Sequence, residues 1–493
     1  MNSTAAILGL TPGSTGAATV SSGGMWTVAG ALIVGNGGSA TFNVQNGGQA
    51  RAGQADIGFI GNGALTVASS NPAARSTLDV TGALRIFNGT LSVQSGGSVT
   101  SRSAAVGEAS GGGSGAGTSL ANVASFNNLA ARWTVADALT VGASAAGRLD
   151  LTGNSQVEAG TMVIGSGAAG TVTLFRSSGL NPSLNVNGLL QVGTGNQGNL
   201  AIGDGATVSA AAARIGSGAF GALGVVGVGA GARWDIAGAL EVGSKTNLLN
   251  DTLRGRLVVN AGSSVVAGGL LTVGVSGRVE QTGGLFSVGQ VSSDSQGVYD
   301  WRDGTFQITG PAGATLGVTR YLPGTLVLSN TQRLDVTHTL DIGSGTVVLA
   351  SSQAGVRAGT LDLRGGQIVG NLLDVGASGA LVGFGTVTSK VVHAGTPVIA
   401  RGGTLAVGNL NDVAGYSGGG RLQADADARL IVQSAGKSRS WGRSSLPRAR
   451  RCSRSTACIC SRAACSTAAA TPASSGASRT TASSPRRPPP ATG

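Results

Sequence analysis

The chain has 493 residues, of which 86 are Gly, 11% are charged and 3% are aromatic. Soluble globular proteins average about 25% charged residues and about 7% Gly, so this composition argues against a conventional globular domain with a thick aromatic core. The formal net charge is +12, but ten of the 33 Lys and Arg residues lie between positions 438 and 493. The first 437 residues are therefore nearly neutral and predict no specific nucleic-acid binding.

A decapeptide recurs along the chain. WTVAGALIVG at 26–35 returns as WTVADALTVG at 133–142 and as WDIAGALEVG at 234–243. Weaker copies, with Leu in place of Trp, begin at Leu78, Leu184 and Leu334. These positions define a sequence period of about 50 residues, which predicts a repeat protein.

Apolar residues alternate within each decapeptide. In the first copy, Val28, Leu32 and Val34 stand at alternate positions, with small or polar residues between them. This is the period of a β-strand, so these side chains are predicted to point inward. The Trp residues that begin the strong copies share this phase: Trp26, Trp133 and Trp234. They are predicted to pack in the core rather than to stack on sugars.

A unit of short strands and Gly turns cannot bury its own apolar face, so the repeats are predicted to stack as a solenoid. Triplets followed by Gly, such as LTVG from Leu271 and LAVG from Leu405, predict strands that end in tight corners, because Gly adopts positive φ without steric cost. With about 20–25 residues per coil, the body predicts roughly 17–21 coils and a rod of about 80–100 Å.

Two styles of repeat divide the body. The decapeptide dominates residues 1–313, where a Gly- and Ser-rich insert at 108–119 is expected to bulge from one corner and YDWRDG at 299–304 breaks the register. Residues 314–437 keep short strands in another pattern, as in GTLDLRGGQIVG from Gly359. Both styles predict strands and no long helix.

Residues 438–493 differ in kind. They contain no Val, ten Arg, thirteen Ser and all four Cys residues, Cys452, Cys458, Cys460 and Cys465. This composition predicts a disordered tail without metal or disulfide chemistry. The abrupt change suggests translation in a shifted reading frame, a hypothesis that the nucleotide sequence would test. No signal peptide and no run of roughly 18–20 apolar residues is visible, so we expect either an intracellular chain or one whose beginning is missing.

The stretch GAGARWDIAGALEVG from Gly229, followed by GRLVVNAGSSVVAGGLLTVG from Gly255, resembles the repeat of bacterial autotransporter passenger domains. The likeness covers about residues 15–300, and residues 360–435 are similar to the end of such passengers. It implies a right-handed parallel β-helix at the cell surface or outside the cell, with a role in adhesion or scaffolding. It also implies a signal sequence and a translocator β-barrel in the full-length protein, neither of which this sequence contains.

Some parallel β-helices cleave polysaccharides, and a glycosidase needs two carboxyl groups about 5–9.5 Å apart. The densest acidic group is Asp294, Asp300 and Asp303 near Trp301. We favour a structural interpretation over a catalytic one, namely a solvated turn at an irregular repeat. The pair formed by Asp425 and Asp427 is expected to lie on one side of a surface strand.

Other patterns for catalysis or metal binding are weak. GYSGG at 415–419 places Ser417 in a nucleophile-elbow pattern, but such matches arise by chance in a Gly-rich chain and the strand-to-helix context is missing. His338 and His393 are far apart and the body has no Cys, so no zinc site is predicted. The calcium-binding nonapeptide is also missing.

The sequence therefore predicts an all-β, right-handed parallel β-helix with a disordered C-terminal tail and without catalytic residues, metal or cofactor. The predicted partners are host or neighbouring-cell surface molecules or matrix glycans. The alternative is a β-helical polysaccharide lyase or hydrolase. Such an enzyme would gather carboxylates and a basic side chain in one groove, whereas a scaffold would scatter them.

Overall fold

A computed structural model describes residues 1–71, 73–110, 119–218, 222–245, 253–375, 379–393, 395–409, 411, 415–418, 420–434, 437–442 and 458–460. These residues form a parallel β-solenoid of about 17 turns and contain no helix. The predicted all-β parallel coil is confirmed, and its right-handed sense stays a prediction. Most of the Gly-rich insert, at 111–118, lies outside the described residues.

The strands before the irregular repeat are β1 (Asn2–Ser3), β2 (Ala6–Leu8), β3 (Thr15–Ser21), β4 (Met25–Val34), β5 (Ser39–Gln45), β6 (Gln49–Ile57), β7 (Gly63–Ala68), β8 (Ser76–Ile86), β9 (Gly89–Val93), β10 (Gly97–Val106), β11 (Ser119–Ser125), β12 (Ala131–Val141), β13 (Gly147–Gly153), β14 (Ser155–Ile164), β15 (Gly170–Phe175), β16 (Ser183–Val192), β17 (Gly198–Ile202), β18 (Thr207–Ile215), β19 (Gly224–Val228), β20 (Arg233–Ile236), β21 (Leu240–Val242), β22 (Gly255–Val259), β23 (Ser264–Val273) and β24 (Gly277–Val291).

The strands that follow are β25 (Val298–Ile308), β26 (Ala314–Thr315), β27 (Thr325–Leu328), β28 (Arg333–Gly343), β29 (Thr346–Leu349), β30 (Gly355–Gly370), β31 (Leu372–Asp374), β32 (Ala380–Val387), β33 (Lys390–His393), β34 (Val398–Val407), β35 (Tyr416–Gly418), β36 (Leu422–Ala424), β37 (Arg429–Ser434), β38 (Lys437–Gly442) and β39 (Cys458–Cys460).

One coil of the decapeptide region contributes a short and a long strand. Short strands such as β13 and β15 stack in parallel into one sheet. Long strands such as β12 and β14 stack into a second ladder, in which a shift of register between Val135 and Ala138 divides each strand in two. We call the sheet formed by the first halves, residues 131–135 in β12, the tryptophan sheet. It contains the Trp residues of all three strong decapeptides.

Large and small side chains alternate from coil to coil in the core of the tryptophan sheet. In coil order, one buried column consists of Val28, Ala52, Val80, Ser101, Val135, Ala159, Val186, Ala210, Ile236 and Ala267. A close-packed interior accommodates a large side chain where those above and below it are small. The sequence period of about 50 residues therefore corresponds to two coils, one with large and one with small core residues.

The core positions predicted from the alternation are buried. Three of them are at most 2% exposed: Val28, Leu32 and Val34. Trp133 and Trp234 are fully buried, and their Nε1 atoms have no hydrogen-bond partner among the described residues. Trp26, near the first coil, is half-buried and donates from Nε1 to Ser3 Oγ at 3.2 Å. The Trp residues therefore pack in the core, as predicted.

Corners and coil lengths follow the predictions in part. Gly142 and Gly408 end their strands with φ of 76° and 109°. Gly274 also follows the end of its strand and begins a turn, as predicted, but its φ is not positive, so only the expected positive φ is wrong there. Partner residues on adjacent coils are 17 to 35 positions apart, a wider range than predicted, with the largest spacing across the insert. Each coil adds about 4.8 Å whatever its length, so about 17 turns give a rod of about 80 Å.

The short-strand sheet is interrupted next to YDWRDG. Within residues 253–375, β27 pairs with β29 and no ladder joins it to β25. Aromatic rings fill this break, since Tyr299 packs against Trp301, Phe306 and Tyr321 with centroids 5.1–6.1 Å apart. The register shifts between β24 and β25 agree with the irregularity expected at 299–304.

Two segments of the predicted disordered tail are strands. β38 pairs antiparallel with β37, and β39 pairs in parallel with β38. The antiparallel strand occupies backbone hydrogen-bonding groups that the last parallel coil would leave open at its edge. Residues 443–457 and 461–493 lie outside the described residues, so the prediction of disorder stays a prediction there.

Candidate functional surfaces

The acidic group noted in the sequence is divided between two elements. Asp294 is exposed in the turn before β25, whereas Asp300 and Asp303 lie in β25 with half-buried side chains. Trp301 is also half-buried, and its ring stacks on Tyr299 with centroids 6.1 Å apart. A solvated turn therefore describes Asp294 but is wrong for Asp300 and Asp303, because the chain continues there as an irregular strand.

Asp300 belongs to a ladder of ion pairs on the outer face of the short-strand sheet. Arg256 Nε and Nη2 donate to the two carboxylate oxygens of Glu280 at 2.9 and 2.8 Å. Arg278 Nη2 donates to Asp300 Oδ2 at 3.1 Å, and Arg278 Nε lies 2.9 Å from Glu280 Oε1 without the alignment of a hydrogen bond. Arg302 Nη2 donates to Asp300 Oδ2 at 2.7 Å. The ladder thus ties three successive coils together.

These contacts favour the ionised carboxylates. Hydrogen bonding lowers the pKa of Asp300, mainly from Arg302, and the pKa of Glu280, mainly from Arg256, although burial opposes both shifts. A threonine hydroxyl of the next coil lowers the pKa of Asp303 in the same way. A glycosidase acid has the opposite need, a raised pKa that keeps its proton near neutral pH.

The lowered pKa of Glu280 predicts stability that is lost in acid. The contribution of the Glu280 carboxylate to the free energy of unfolding is complete at a pH above its pKa in the unfolded chain, about 4.5. It disappears as the pH falls through the lower pKa of the folded protein. We expect Glu280→Gln to cost about 1 kcal/mol at pH 7 and less at pH 3, measured as the urea midpoint. Glu158→Gln, at an exposed carboxylate, is the control and should change little at either pH. A deficit that is equal at both pH values would contradict this assignment.

The remaining sequence candidates are not brought together as a site. Ser417 lies in β35 beside β33, without the strand-to-helix turn of a nucleophile elbow among the described residues. His338 is exposed on β28, and His393 is on β33, where its register partner is Gly418. No group of three His, Cys, Asp or Glu able to hold a metal occurs in the described part of the chain.

The expectation of a strand pair at Asp425 and Asp427 is wrong. Both follow β36 in a turn, where Asp427 is exposed and Asp425 Oδ2 accepts from Arg401 Nε at 2.9 Å. In the tail, Cys458 and Cys460 are the ends of β39, while Cys452 and Cys465 lie outside the described residues.

The outer face of the tryptophan sheet is polar over most of the rod. We call its central column the display face: Thr27, Arg51, Asp79, Thr100, Thr134, Glu158, Asn185, Ser209, Asp235, Val266, Ser287, Gln307, Asp335 and Arg357. Val266 is its single apolar member. Neighbouring coils are joined by side-chain hydrogen bonds, as between Ser209 Oγ and Asn185 Oδ1 at 2.6 Å. Apart from Val266 and the buried Ser287, the face therefore presents hydroxyl, amide and charged groups in a fixed row.

A neutral groove crosses the first coils on the short-strand sheet. Its cavity volume is about 850 Å³, and its lining includes Thr41, Asn62, Asn88 and Thr90. Asn88 Nδ2 donates to Asn62 Oδ1 at 3.0 Å. The groove offers hydroxyl and amide groups but no charge.

A second cavity, of about 460 Å³, opens at the far end of the display face. It is lined by Arg333, Asp335, Gln353, Arg357 and Asp374, together with residues 354–356. Burial raises the pKa of Asp335, although both arginines oppose the shift. These residues come from separate parts of the sequence, so no motif marked them. The weak repeat copy at Leu334 could have placed Asp335 on the outer face, but nothing in it signals a cavity.

Comparisons with known proteins give little further information. No family model matches the chain, and no curated protein matches it. Among solved structures, it is similar to a crystal structure of a hyper-glycosylated fragment of TibA, residues 55–350, modified by TibC. The two chains are 15% identical, with a TM-score of 0.29, over 87% of this chain and 99% of the other. This likeness is too distant to carry an argument. Within the described residues, no helix is long and apolar enough to cross a membrane.

Proposed function

We propose that this chain is a non-catalytic, surface-displayed or secreted β-helical passenger of an autotransporter-like bacterial protein, with a role in adhesion or scaffolding. The observation that carries the proposal is the display face, which keeps polar side chains in register from Thr27 to Arg357. The resemblance of the decapeptide repeat to passenger repeats supports the cellular setting.

The display face suits contacts that are weak singly and strong together. Its side chains are held by a rigid backbone at a spacing of about 4.8 Å along the rod, so little conformational entropy is lost when a partner binds. Contacts repeated along one rigid body also raise the effective concentration of the next contact. Host or neighbouring-cell surface molecules and matrix glycans, which are rich in hydroxyl groups, are the proposed partners.

The distribution of charge favours a scaffold over the enzyme alternative. Ion pairs of the described residues are spread along the rod, from Arg51 with Asp79 to Arg401 with Asp425. The cavity at Asp335 brings two carboxylates and two arginines to one concave site, and in this proposal it binds a ligand without cleaving it.

A bead assay tests the proposal. Beads coated with the full chain are expected to bind epithelial cells or immobilised matrix glycans, and a variant with Thr134, Asn185 and Asp235 changed to Ala should bind at least tenfold less. These three side chains lie on the display face of alternate coils. Removal of their polar groups leaves the core column untouched.

The matched control changes Thr66, Ser92 and Asn122 to Ala. They form a similar outward column on the short-strand sheet, and their loss should leave bead binding within twofold of wild type. Incubation with polysaccharides should release no new reducing ends. Absence of binding to every surface tested, or sustained release of reducing ends, would overturn the proposal.

A further inference from the structure

The cavity at Asp335 gathers several charged side chains that are not paired. Many arginines and aspartates elsewhere on the outer faces form close ion pairs, such as Arg233 with Asp235 at 2.6 Å between Nε and Oδ2. Asp335 and Arg357 are register partners on adjacent coils, yet among the described residues neither their side chains nor that of Arg333 makes a hydrogen bond or an ion pair. One concave site therefore contains three charged side chains that can still form hydrogen bonds with a ligand.

The lack of a hydrogen-bond partner is most costly for Asp335. Its side chain is half-buried, and a second hollow, of about 210 Å³, lies on its other side against Gln307 and Thr337. A partly desolvated carboxylate without a donor is unfavourable relative to one that accepts hydrogen bonds. A ligand that supplies hydroxyl donors to Asp335 would remove this cost.

The two arginines indicate that the ligand also carries a negatively charged group. Guanidinium groups bind planar carboxylates through paired hydrogen bonds, and Arg333 and Arg357 both line the cavity. The volume of about 460 Å³ falls within the roughly 300–1,000 Å³ typical of small-molecule sites. No aromatic ring lines it, so recognition would depend on hydrogen bonds and charge rather than on stacking.

We propose that this cavity binds a carboxylated sugar residue of an acidic glycan, with the sugar carboxylate on Arg333 and Arg357 and its hydroxyl groups on Asp335 and Gln353. The inference rests on the proposed function, because it names the partner class of one site on the rod. A simple inorganic anion fits less well, since it fills little of the cavity and supplies at most one or two hydroxyl donors. A neutral sugar offers the two arginines only hydroxyl oxygens as acceptors, without the charge and the paired geometry of a carboxylate.

Calorimetric titration of the full chain tests the inference. Two acidic probes carry a sugar carboxylate and hydroxyl groups but represent different kinds of glycan: a hexuronic acid trimer and a sialylated trisaccharide. A neutral glucose trimer and inorganic phosphate are the comparison ligands. At least one acidic probe should bind at least tenfold more tightly than glucose trimer and phosphate. The acidic probe that binds identifies the source.

Four variants locate the binding. Arg333→Gln, Arg357→Gln and Asp335→Asn should each weaken the acidic probe at least tenfold, with the arginine variants losing the preference for acid over neutral sugar. Gly355→Val fills the cavity without removing a charge, because an added Cβ at Gly355 meets only Arg333 Nε, at 3.8 Å. It should abolish binding.

Arg364→Gln is the control, because Arg364 is paired with Asp362 at 3.0 Å and lies outside the cavity lining. Its affinity should stay within twofold of wild type, and circular dichroism should show the same strand content for all variants. Equal binding of acidic and neutral probes, or unchanged affinity in Gly355→Val, would overturn the inference.

The bead assay separates this failure from a failure of the proposed function. Beads that adhere to cells while the cavity variants bind the acidic probe like wild type would overturn the cavity assignment alone. Beads that adhere to nothing, while the full chain binds the acidic probe through the cavity, would overturn adhesion and support the assignment.

Discussion

Leu139→Asp is expected to unfold the coils around residue 139 while distant coils stay folded. Leu139 is fully buried and lies between Ala104 and Met162 on the adjacent coils, so an aspartate there would be an unpaired carboxylate in an aliphatic stack. Such a burial costs at least about 4 kcal/mol. The loss stays local because each coil of a solenoid is held by its neighbours. Limited digestion with trypsin measures it, since Arg132 and Arg148 flank the site.

Thr140→Asp is the matched control for Leu139→Asp. Thr140 is the next residue of the same strand and points to the other face, where its register partners are Ala105 and Val163. A carboxylate there can reach water, so the digestion pattern should remain that of wild type. If the two variants were equally resistant to trypsin, the assignment of inward and outward faces in β12 would be wrong.

Gly224→Ala should destabilise the rod by about 3 kcal/mol, at the upper end of the range for overpacking. Gly224 begins β19 on the inner side of a corner, where an added Cβ would overlap the backbone carbonyl oxygen of Val192 and the backbone nitrogen of Gly216. Backbone atoms held in neighbouring coils cannot move aside as a flexible side chain would. The urea midpoint of the purified variant measures the effect.

Gly227→Ala in the same strand is expected to be neutral or slightly stabilising. A Cβ at Gly227 would meet nothing within 4 Å, and Ala loses less conformational entropy than Gly on folding, by about 0.5–1 kcal/mol. The pair therefore compares one substitution at two positions three residues apart. Similar midpoints for Gly224→Ala and Gly227→Ala would show that the corner is looser than the structure indicates.

The strand pattern was predictable because a half-buried strand has a strict period of two. Val28, Leu32 and Val34 alternate with small or polar residues, and a solenoid is the way such strands can all find a neighbour. The same logic placed Trp133 and Trp234 in the core, since they share the phase of the apolar residues.

The number of residues in a single coil was harder to predict from the sequence. Half of the coils carry Ala or Ser where the decapeptides carry Val or Ile, as at Ala52 and Ala159. These coils do not stand out as apolar segments, so the sequence shows a period of about 50 residues although the structural unit is half as long. The alternation becomes visible only when residues are aligned by register.

The candidate site was beyond a single sequence for a related reason. Asp335, Arg357 and Asp374 come from separate strands and meet through coil stacking, so no spacing or motif links them. In the acidic cluster that did attract attention, Asp300 is paired with Arg278 of the previous coil and with Arg302 of its own strand. Charge density along a sequence does not distinguish paired from unpaired charges, which requires the register of neighbouring coils.

The display face and the cavity at Asp335 both depend on coils that stack at a constant rise, and spin-label distances test that stacking most directly. With the four tail Cys residues changed to Ser, labels are attached in pairs at Thr27 with Thr134, Asp235 or Gln307, which lie four, eight and eleven coils away on the display face. We expect distances of about 19, 38 and 53 Å by double electron–electron resonance, in proportion to coil number. Three distances that level off at a similar value, as in a compact globule with a radius of gyration of roughly 22 Å, would contradict the stacked rod.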